Sequence, residues 1–157
     1  MPRYSIVGSA TGTAGSTIAY FVNSATSPSR LKLYEVMVGS QATPADQAQE
    51  IDIRRINDEA TTNSGAAVTP QPVDENDRVA LSTAREAVTE PDANNTDPTY
   101  EAGQVLEIPL NLRATFRWIA APGSELVATA AEDTGFGVDI SATTSAFLTN
   151  VTMLYEE

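Results

Sequence analysis

The chain has 157 residues, of which 9 are basic and 21 are acidic, so its formal net charge is −12 at pH 7. It contains no cysteine and no histidine, which excludes disulfides, cysteine nucleophiles, Ser-His-Asp triads and the usual zinc sites. A field of this sign repels phosphate backbones, so we expect no direct binding to nucleic acid. The length suits one domain. Because no apolar stretch reaches the length of a membrane span or a secretory signal, we expect no membrane partner.

The first 22 residues combine two strand candidates with a run of small residues. Residues 3–7 (RYSIV) favour a short strand, and residues 9–16 are Gly, Ala, Ser and Thr, which bury too little to order themselves. Residues 17–22 (TIAYFV) favour a strand that is apolar on both faces. We therefore predict an extended N-terminal arm or strand over residues 1–22 and a single β-sandwich domain over residues 23–157.

Two further strands are predicted in the first third of the chain. Residues 31–39 (LKLYEVMVG) alternate between apolar and polar types, except that Glu35 falls on an apolar face. Residues 50–56 (EIDIRRI) alternate at Ile51 and Ile53 and then change phase at Ile56. Since a shift of one residue exchanges the two faces of a strand, this pattern predicts a bulge or the end of the strand.

The middle of the chain is poorer in regular patterns. Residues 57–77 are mostly polar and predict a long loop, in which only residues 66–68 resemble a strand. Residues 78–88 (RVALSTAREAV) are ambiguous and could form two helical turns, the only helix that the sequence offers. Residues 90–98 (EPDANNTDP) indicate an acidic loop bounded by prolines.

The clearest pattern runs over residues 106–118 (LEIPLNLRATFRW). Apolar residues occupy every second position and polar residues fill most of the others, as in one long or twice-bent strand. Pro109 removes a backbone donor, which predicts an edge, a bulge or a corner where the chain passes from one sheet to another. We expect Phe116 and Trp118 to pack in the core in preference to forming a binding site.

The rest of the chain completes an all-β pattern. A turn at Pro122 and Gly123 leads to a return strand, and residues 147–155 alternate again. The total is roughly eight strands, and alternation in most of them favours antiparallel pairing. The predicted fold is a two-sheet antiparallel β-sandwich of the jelly-roll kind, with long loops and at most one short helix.

The acidic residues offer little chemistry by their spacing. The loop that holds Asp92, Asn94, Asn95 and Asp97 resembles an oxygen cage for calcium, but it lacks a bidentate acid at the required distance, so a solvated turn is favoured.

Two carboxylate pairs could serve a glycosidase: Glu132 with Asp133, and Glu50 with Asp52. Adjacent strand residues point to opposite faces, and neither pair lies beside the aromatic platform that a sugar needs. We therefore predict no enzymatic activity, no catalytic residues, no cofactor and no metal site.

Five residues are predicted to contact another protein or another copy of this chain: Tyr20, Phe21, Arg113, Arg117 and Trp118. Arg113 and Arg117 share the polar face of residues 106–118, where they either pair with local carboxylates or meet an acidic surface. Tyr20 and Phe21 follow the small-residue run, and a flexible arm with an apolar strand can add to a neighbour's sheet edge.

Several stretches resemble a group of small virion proteins from tailed bacteriophages and prophages. In chain order they are MPRYSIVGSATGTAGSTIA, LYEVMVGSQATPADQAQEIDIRRI, VTPQPVDENDRVAL and LEIPLNLRATFRWIAAPGSELV. The most specific piece is residues 111–123 (NLRATFRWIAAPG). The chain departs from the pattern in its acidic insert at residues 86–97 and in its last two residues, which bears on loop contacts more than on the fold.

The resemblance implies a protein that decorates or cements the outside of the phage head. Such proteins sit on the coat lattice as oligomers, often homotrimers. The partner would then be the major capsid protein, and the location the exterior of the virion after synthesis in the bacterial cytoplasm. The alternatives are a tail, baseplate or fibre-adaptor component and, less favoured, a carbohydrate-binding jelly-roll module.

Overall fold

The computed structural model describes residues 1–41, 43–59, 65–88, 98–143 and 146–157. These residues form thirteen strands and no helix, and so no helix that is long and apolar enough to cross a membrane. In chain order the strands are β1 (Arg3–Gly12), β2 (Ser16–Val22), β3 (Lys32–Ser40), β4 (Ala48–Asp58), β5 (Ala66–Val68), β6 (Gln71–Pro72), β7 (Thr83–Val88), β8 (Thr99–Tyr100), β9 (Leu106–Asn111), β10 (Phe116–Ile119), β11 (Leu126–Val127), β12 (Gly135–Thr143) and β13 (Phe147–Glu156).

The strands form two antiparallel sheets. Sheet A has the order β10-β3-β13-β1-β6, with β11 also paired to β3, and sheet B has the order β5-β7-β2-β12-β4-β8, with β9 also paired to β4. Eight of these strands give the arrangement of a jelly roll, because the row β10-β3-β13-β1 packs on the row β2-β12-β4-β9 and the first strand lies beside the last. The predicted two-sheet antiparallel β-sandwich is confirmed.

The main core lies between the two sheets and is built from their inward-facing aliphatic and aromatic side chains. Its centre holds Phe21 of sheet B stacked on Tyr155 of sheet A, with ring centroids 4.1 Å apart. Phe136 and Tyr4 pack against these two rings at 6.1 Å and 5.6 Å. Large buried aromatics contribute much of the apolar area that a sandwich removes from water, so this cluster joins the sheets.

A bulge explains the irregular alternation of β3. Leu33 lies opposite Tyr155 of β13, while Glu35 lies opposite the adjacent residue Leu154, so Tyr34 is the extra residue. The bulge shifts the phase of the strand by one. As a result Leu33 and Val36 both reach the core, although they are three positions apart.

The phase change at Ile56 has another cause. Pairing of β4 with β12 is regular from Ile51 to Ile56, which lies opposite Gly135. The pairing of β4 with β8 is irregular between Ile56 and Asp58, where β4 ends, as the sequence predicts. Ile56 faces away from the main core and belongs to a second apolar cluster with Tyr20, Val22 and Val88. Sheet B therefore buries side chains on both of its faces.

Residues 106–118 are divided between the sheets. β9 pairs with β4 in sheet B, and β10 pairs with β3 in sheet A. Asn111 forms the bend, because its backbone and side-chain oxygens accept hydrogen bonds from the amides of Ala114 and Arg113 at 2.8 Å and 2.9 Å. The predicted corner thus falls after Asn111. Pro109 lies on β9, which pairs with β4 in the described part of the chain. Such a strand tolerates a residue that has no backbone N–H donor.

The N-terminal segment is part of both sheets. β1 lies between β13 and β6, and β2 lies between β12 and β7. The run of small residues is ordered because β1 pairs with β13 over ten positions, from Arg3 opposite Glu156 to Gly12 opposite Phe147. The possible helix over residues 78–88 is not formed, since pairing of β7 with β2 and β5 overrides the helix propensity of Ala, Arg and Glu.

Candidate functional site

The outer face of sheet A carries exposed apolar side chains next to an arginine. Val7 on β1 and Ile119 on β10 are 59% and 54% exposed. The half-buried residues Met37 on β3 and Leu154 on β13 lie between them on the same face, and Arg117 lies opposite Met37. We call these five residues the sheet A face. Apolar surface beside a cation is typical of protein contact sites.

Arg117 is already paired within the chain. Its Nε donates to Oε1 of Glu35 at 2.6 Å, while the guanidinium stays exposed. This charge-assisted hydrogen bond raises the pKa of Arg117. The first of the two alternatives predicted for the arginines, pairing with a local carboxylate, is therefore what the structure shows for Arg117.

Arg113 and Trp118 lie elsewhere. Arg113 is in the bend between β9 and β10, and its Nε donates to the carbonyl oxygen of Pro44 at 3.3 Å. Trp118 is half-buried on the inner side of β10 and packs against the main core. The structure thus brings Arg117 and Trp118 onto one short edge strand but on opposite faces, and of this pair only Arg117 is exposed.

Tyr20 and Phe21 are both 0% exposed. Phe21 is in the main core, and the Tyr20 hydroxyl donates to Oε1 of Glu59 at 3.0 Å. Because β2 is paired on both sides, an intermolecular role for these two side chains would require β2 to leave its own sheet. The residues of the predicted calcium loop, Asp92, Asn94, Asn95 and Asp97, lie outside the described residues.

A row of carboxylates crosses the outer face of sheet B. Glu107 of β9 lies opposite Asp52 of β4, and Asp52 lies opposite Asp139 of β12. Glu50 is two positions before Asp52, so it lies on the same face of β4. Carboxylate oxygens of Glu50, Asp52 and Glu107 lie within 4.8 Å of one another. Glu50 also accepts a hydrogen bond from the Ser141 hydroxyl at 2.8 Å.

This acidic row is buried at its centre. Asp52 and Asp139 are only 1% and 5% exposed, and Oδ1 of each has no hydrogen-bond partner in the described part of the chain. Arg54 reaches Asp139 at 3.4 Å, but its guanidinium is also drawn over the ring of Tyr100 and to a backbone carbonyl. Burial raises the pKa of Asp139 to about 6, against the lowering effect of Arg54.

Sequence reasoning missed this row because two of its members come from distant strands. In the sequence analysis Glu50 and Asp52 are treated as a pair whose side chains point to opposite faces, but their spacing of two places them on one face of β4. Glu107 and Asp139 join them only through the pairing of β9 and β12 with β4. A polar residue between the buried positions Ile51 and Ile53 was the one signal in the sequence.

An open groove of about 590 Å³ lies beside β5 and β7. It is lined by residues 67–70, 79–80 and 82–85 with Glu59 and Asp133. None of these lining residues is aromatic, and Glu59 is engaged by Tyr20 and by the Thr83 hydroxyl. The groove therefore lacks the stacking surface and the pair of available acids that sugar binding or hydrolysis would use.

The chain was compared with protein-family models, with curated proteins and with solved structures, and none of the three comparisons found a match.

Proposed function

We propose that this protein is a virion structural protein of a tailed phage, which binds the outside of the head and cements it by bridging coat subunits. The resemblance of the sequence to phage virion proteins supports the proposal. Its most specific piece, residues 111–123, corresponds in the structure to the bend after β9, the edge strand β10 and the following turn. Arg113, Arg117 and Ile119 in this segment are exposed, so packing of the core does not explain their residue types.

The observation that carries the proposed contact is the sheet A face. It combines exposed apolar side chains with Arg117 in a chain whose net charge is −12. A matching coat surface would be apolar, with polar groups placed to meet the exposed side of the Arg117–Glu35 pair, which would give the contact its orientation. We propose that the chain presents this face as a homotrimer, since several copies of a weak contact on one particle act together.

Packaged DNA pushes a capsid outward, and a bridge between coat subunits raises the free energy needed to separate them. The test uses decoration-free heads of the encoding phage and the full chain. We expect hundreds of copies to bind each head and heads to survive higher temperature. Ile119→Glu places a charge in the sheet A face and should weaken binding at least tenfold.

Val79→Glu is the matched control, because Val79 is also an exposed aliphatic residue, 76% exposed, in the segment before β7. It should bind like the wild type, and circular dichroism should show both variants folded. Heads that gain no stability, or Ile119→Glu binding as tightly as Val79→Glu, would contradict the proposal. A few copies per particle would favour the tail or baseplate alternative.

A further inference from the structure

We propose that the acidic row on the outer face of sheet B binds one divalent cation, with Ca²⁺ as the best fit, through the carboxylates of Glu50, Asp52 and Glu107. This inference concerns the sandwich itself and does not rest on the proposed role at the capsid. The cation would tie the edge strand β9 to β4 at the point where Glu107 lies opposite Asp52.

In the part of the chain that the structure describes, the negative charge of the acidic row is not balanced by nearby basic side chains. Four carboxylates occupy the row, and the ion pair that the described residues provide there is between Arg54 and Asp139 at 3.4 Å. Among the described residues no basic side chain lies within 4.0 Å of the carboxylates of Glu50, Asp52 or Glu107. Like charges at such short range repel one another strongly unless a counter-charge enters.

Asp52 points to a bound cation independently of the number of acids nearby. Its side chain is almost fully buried, and Oδ1 has no donor in the described structure. A buried carboxylate oxygen without a partner destabilises the folded chain. Asp52 is also central. It lies between Glu107 and Asp139 on the neighbouring strands, and its carboxylate lies within 4.8 Å of those of Glu50 and Glu107. The unsatisfied oxygen therefore belongs to a group that converges on one point.

The chemistry of the ligands selects the class of cation. All three are carboxylates, and the chain has no histidine or cysteine to attract softer metals. Oxygens on opposite sides of a Ca²⁺ ion are about 4.6–5.2 Å apart, because each bond is about 2.3–2.6 Å long. One carboxylate oxygen of each residue lies within 4.8 Å of the other two, close enough for one Ca²⁺ ion to bind all three. Mg²⁺ demands a near-ideal octahedron with bonds of about 2.0–2.1 Å, which carboxylates fixed on two strands provide less readily than the irregular sites that Ca²⁺ accepts.

The surroundings allow the ion to enter and water to complete its coordination. Glu107 is exposed on an edge strand, and an open cavity of about 280 Å³ borders Glu50 and Pro109. Ca²⁺ takes six to eight oxygens and accepts irregular geometry. Three carboxylates from a sheet edge, some of them bidentate, together with water molecules meet that requirement.

The test measures Ca²⁺ binding and thermal stability of the full chain after removal of metal with a chelator. We expect calorimetry to give one site per chain, and 2 mM CaCl₂ to raise the melting temperature by several degrees. NaCl at the same ionic strength should not reproduce this shift. Asp52→Asn and Glu107→Gln should each weaken Ca²⁺ binding at least tenfold.

Glu75→Gln is the matched control, since Glu75 is an exposed acid in a turn away from sheet B and its loss should leave Ca²⁺ binding unchanged. Glu107 is exposed, so Glu107→Gln should fold even if Asp52→Asn does not. Absence of a Ca²⁺-dependent shift in the wild type, or an equal shift in Glu107→Gln, would overturn the proposal. An equal response to MgCl₂ would overturn the choice of Ca²⁺.

Discussion

Glu157 holds the segment before β7 against the end of β13. Its carboxylate is buried and accepts hydrogen bonds from the amides of Leu81 and Ser82 at 2.8 Å and 3.0 Å. Arg78 adds a long ion pair at 3.5 Å, although its own side chain is exposed. Because backbone donors to a buried carboxylate are hard to replace, these two hydrogen bonds matter more than the ion pair.

We expect Glu157→Ala to lower the free energy of unfolding by about 2–3 kcal/mol, since the buried amide of Ser82 and the part-buried amide of Leu81 lose their acceptor. Urea unfolding followed by fluorescence measures the change. Glu156→Ala is the control: Glu156 pairs with the exposed Arg3 at 2.8 Å and should cost about 1 kcal/mol or less. Equal losses in the two variants would contradict this account of Glu157.

Asp133 has two features that are each unfavourable in the folded chain, its backbone angle and the environment of its carboxylate. Its φ is 60°, in the left-handed region that asparagine adopts more readily than most residues. Burial, followed by the charges of Glu132, Glu59 and Asp58, raises the pKa of Asp133 above its ordinary 3.8. A raised folded-state pKa means that ionisation destabilises the folded chain once the pH exceeds that value, and that the penalty disappears as the pH falls to 3.8 and below.

Asp133→Asn should therefore stabilise the protein by about 0.5–1 kcal/mol at pH 7 and by less near pH 3.5. Melting temperatures at the two pH values measure the difference. Glu75→Gln, which removes an exposed acid, should change stability little at either pH. A gain that is larger in acid than at pH 7 would show that the charge of Asp133 is not the cause.

At the level of strands, alternation predicted most elements and the fold class. It could not place the bulge at Tyr34 or the second cluster around Ile56, because both depend on which strand lies alongside. For the same reason the acidic row was invisible: it exists only once β9, β4 and β12 are side by side. The ambiguity of residues 78–88 was settled by pairing, which local propensity does not contain.

β12 approaches β2 so closely at Gly135 that a side chain there should destabilise the fold. A Cβ on Gly135 would overlap the carbonyl oxygen of Phe21 and lie 2.7 Å from Cα of Val22. Since backbone cannot move aside as a side chain can, we expect Gly135→Ala to cost about 3 kcal/mol or more. Gly123→Ala, in open space at φ +83°, should cost only about 1–2 kcal/mol. Similar unfolding midpoints for the two variants would contradict the close packing of these strands.

For the molecule as a whole, the sequence predicted the sandwich. It also predicted five contact residues, which the fold places in different parts of the molecule. Tyr20 and Phe21 went to the interior, Trp118 to the inner side of an edge strand, and Arg117 to a surface with Val7 and Ile119. A residue of a given type can therefore pack in the core or contact a partner. Its position in the sheets decides which of these roles is open to it.

The pairing of β1 with β13 has a consequence for biosynthesis. β1 lies beside β13, which is far away in the sequence, so β1 lacks this partner until residues 147–156 have left the ribosome. Closing a loop of this size carries a high entropic cost before any contact rewards it. We therefore expect sheet A to close only after residues 147–156 have been translated, and folding to take milliseconds to seconds or longer. During that time the apolar strand TIAYFV would be accessible to chaperones.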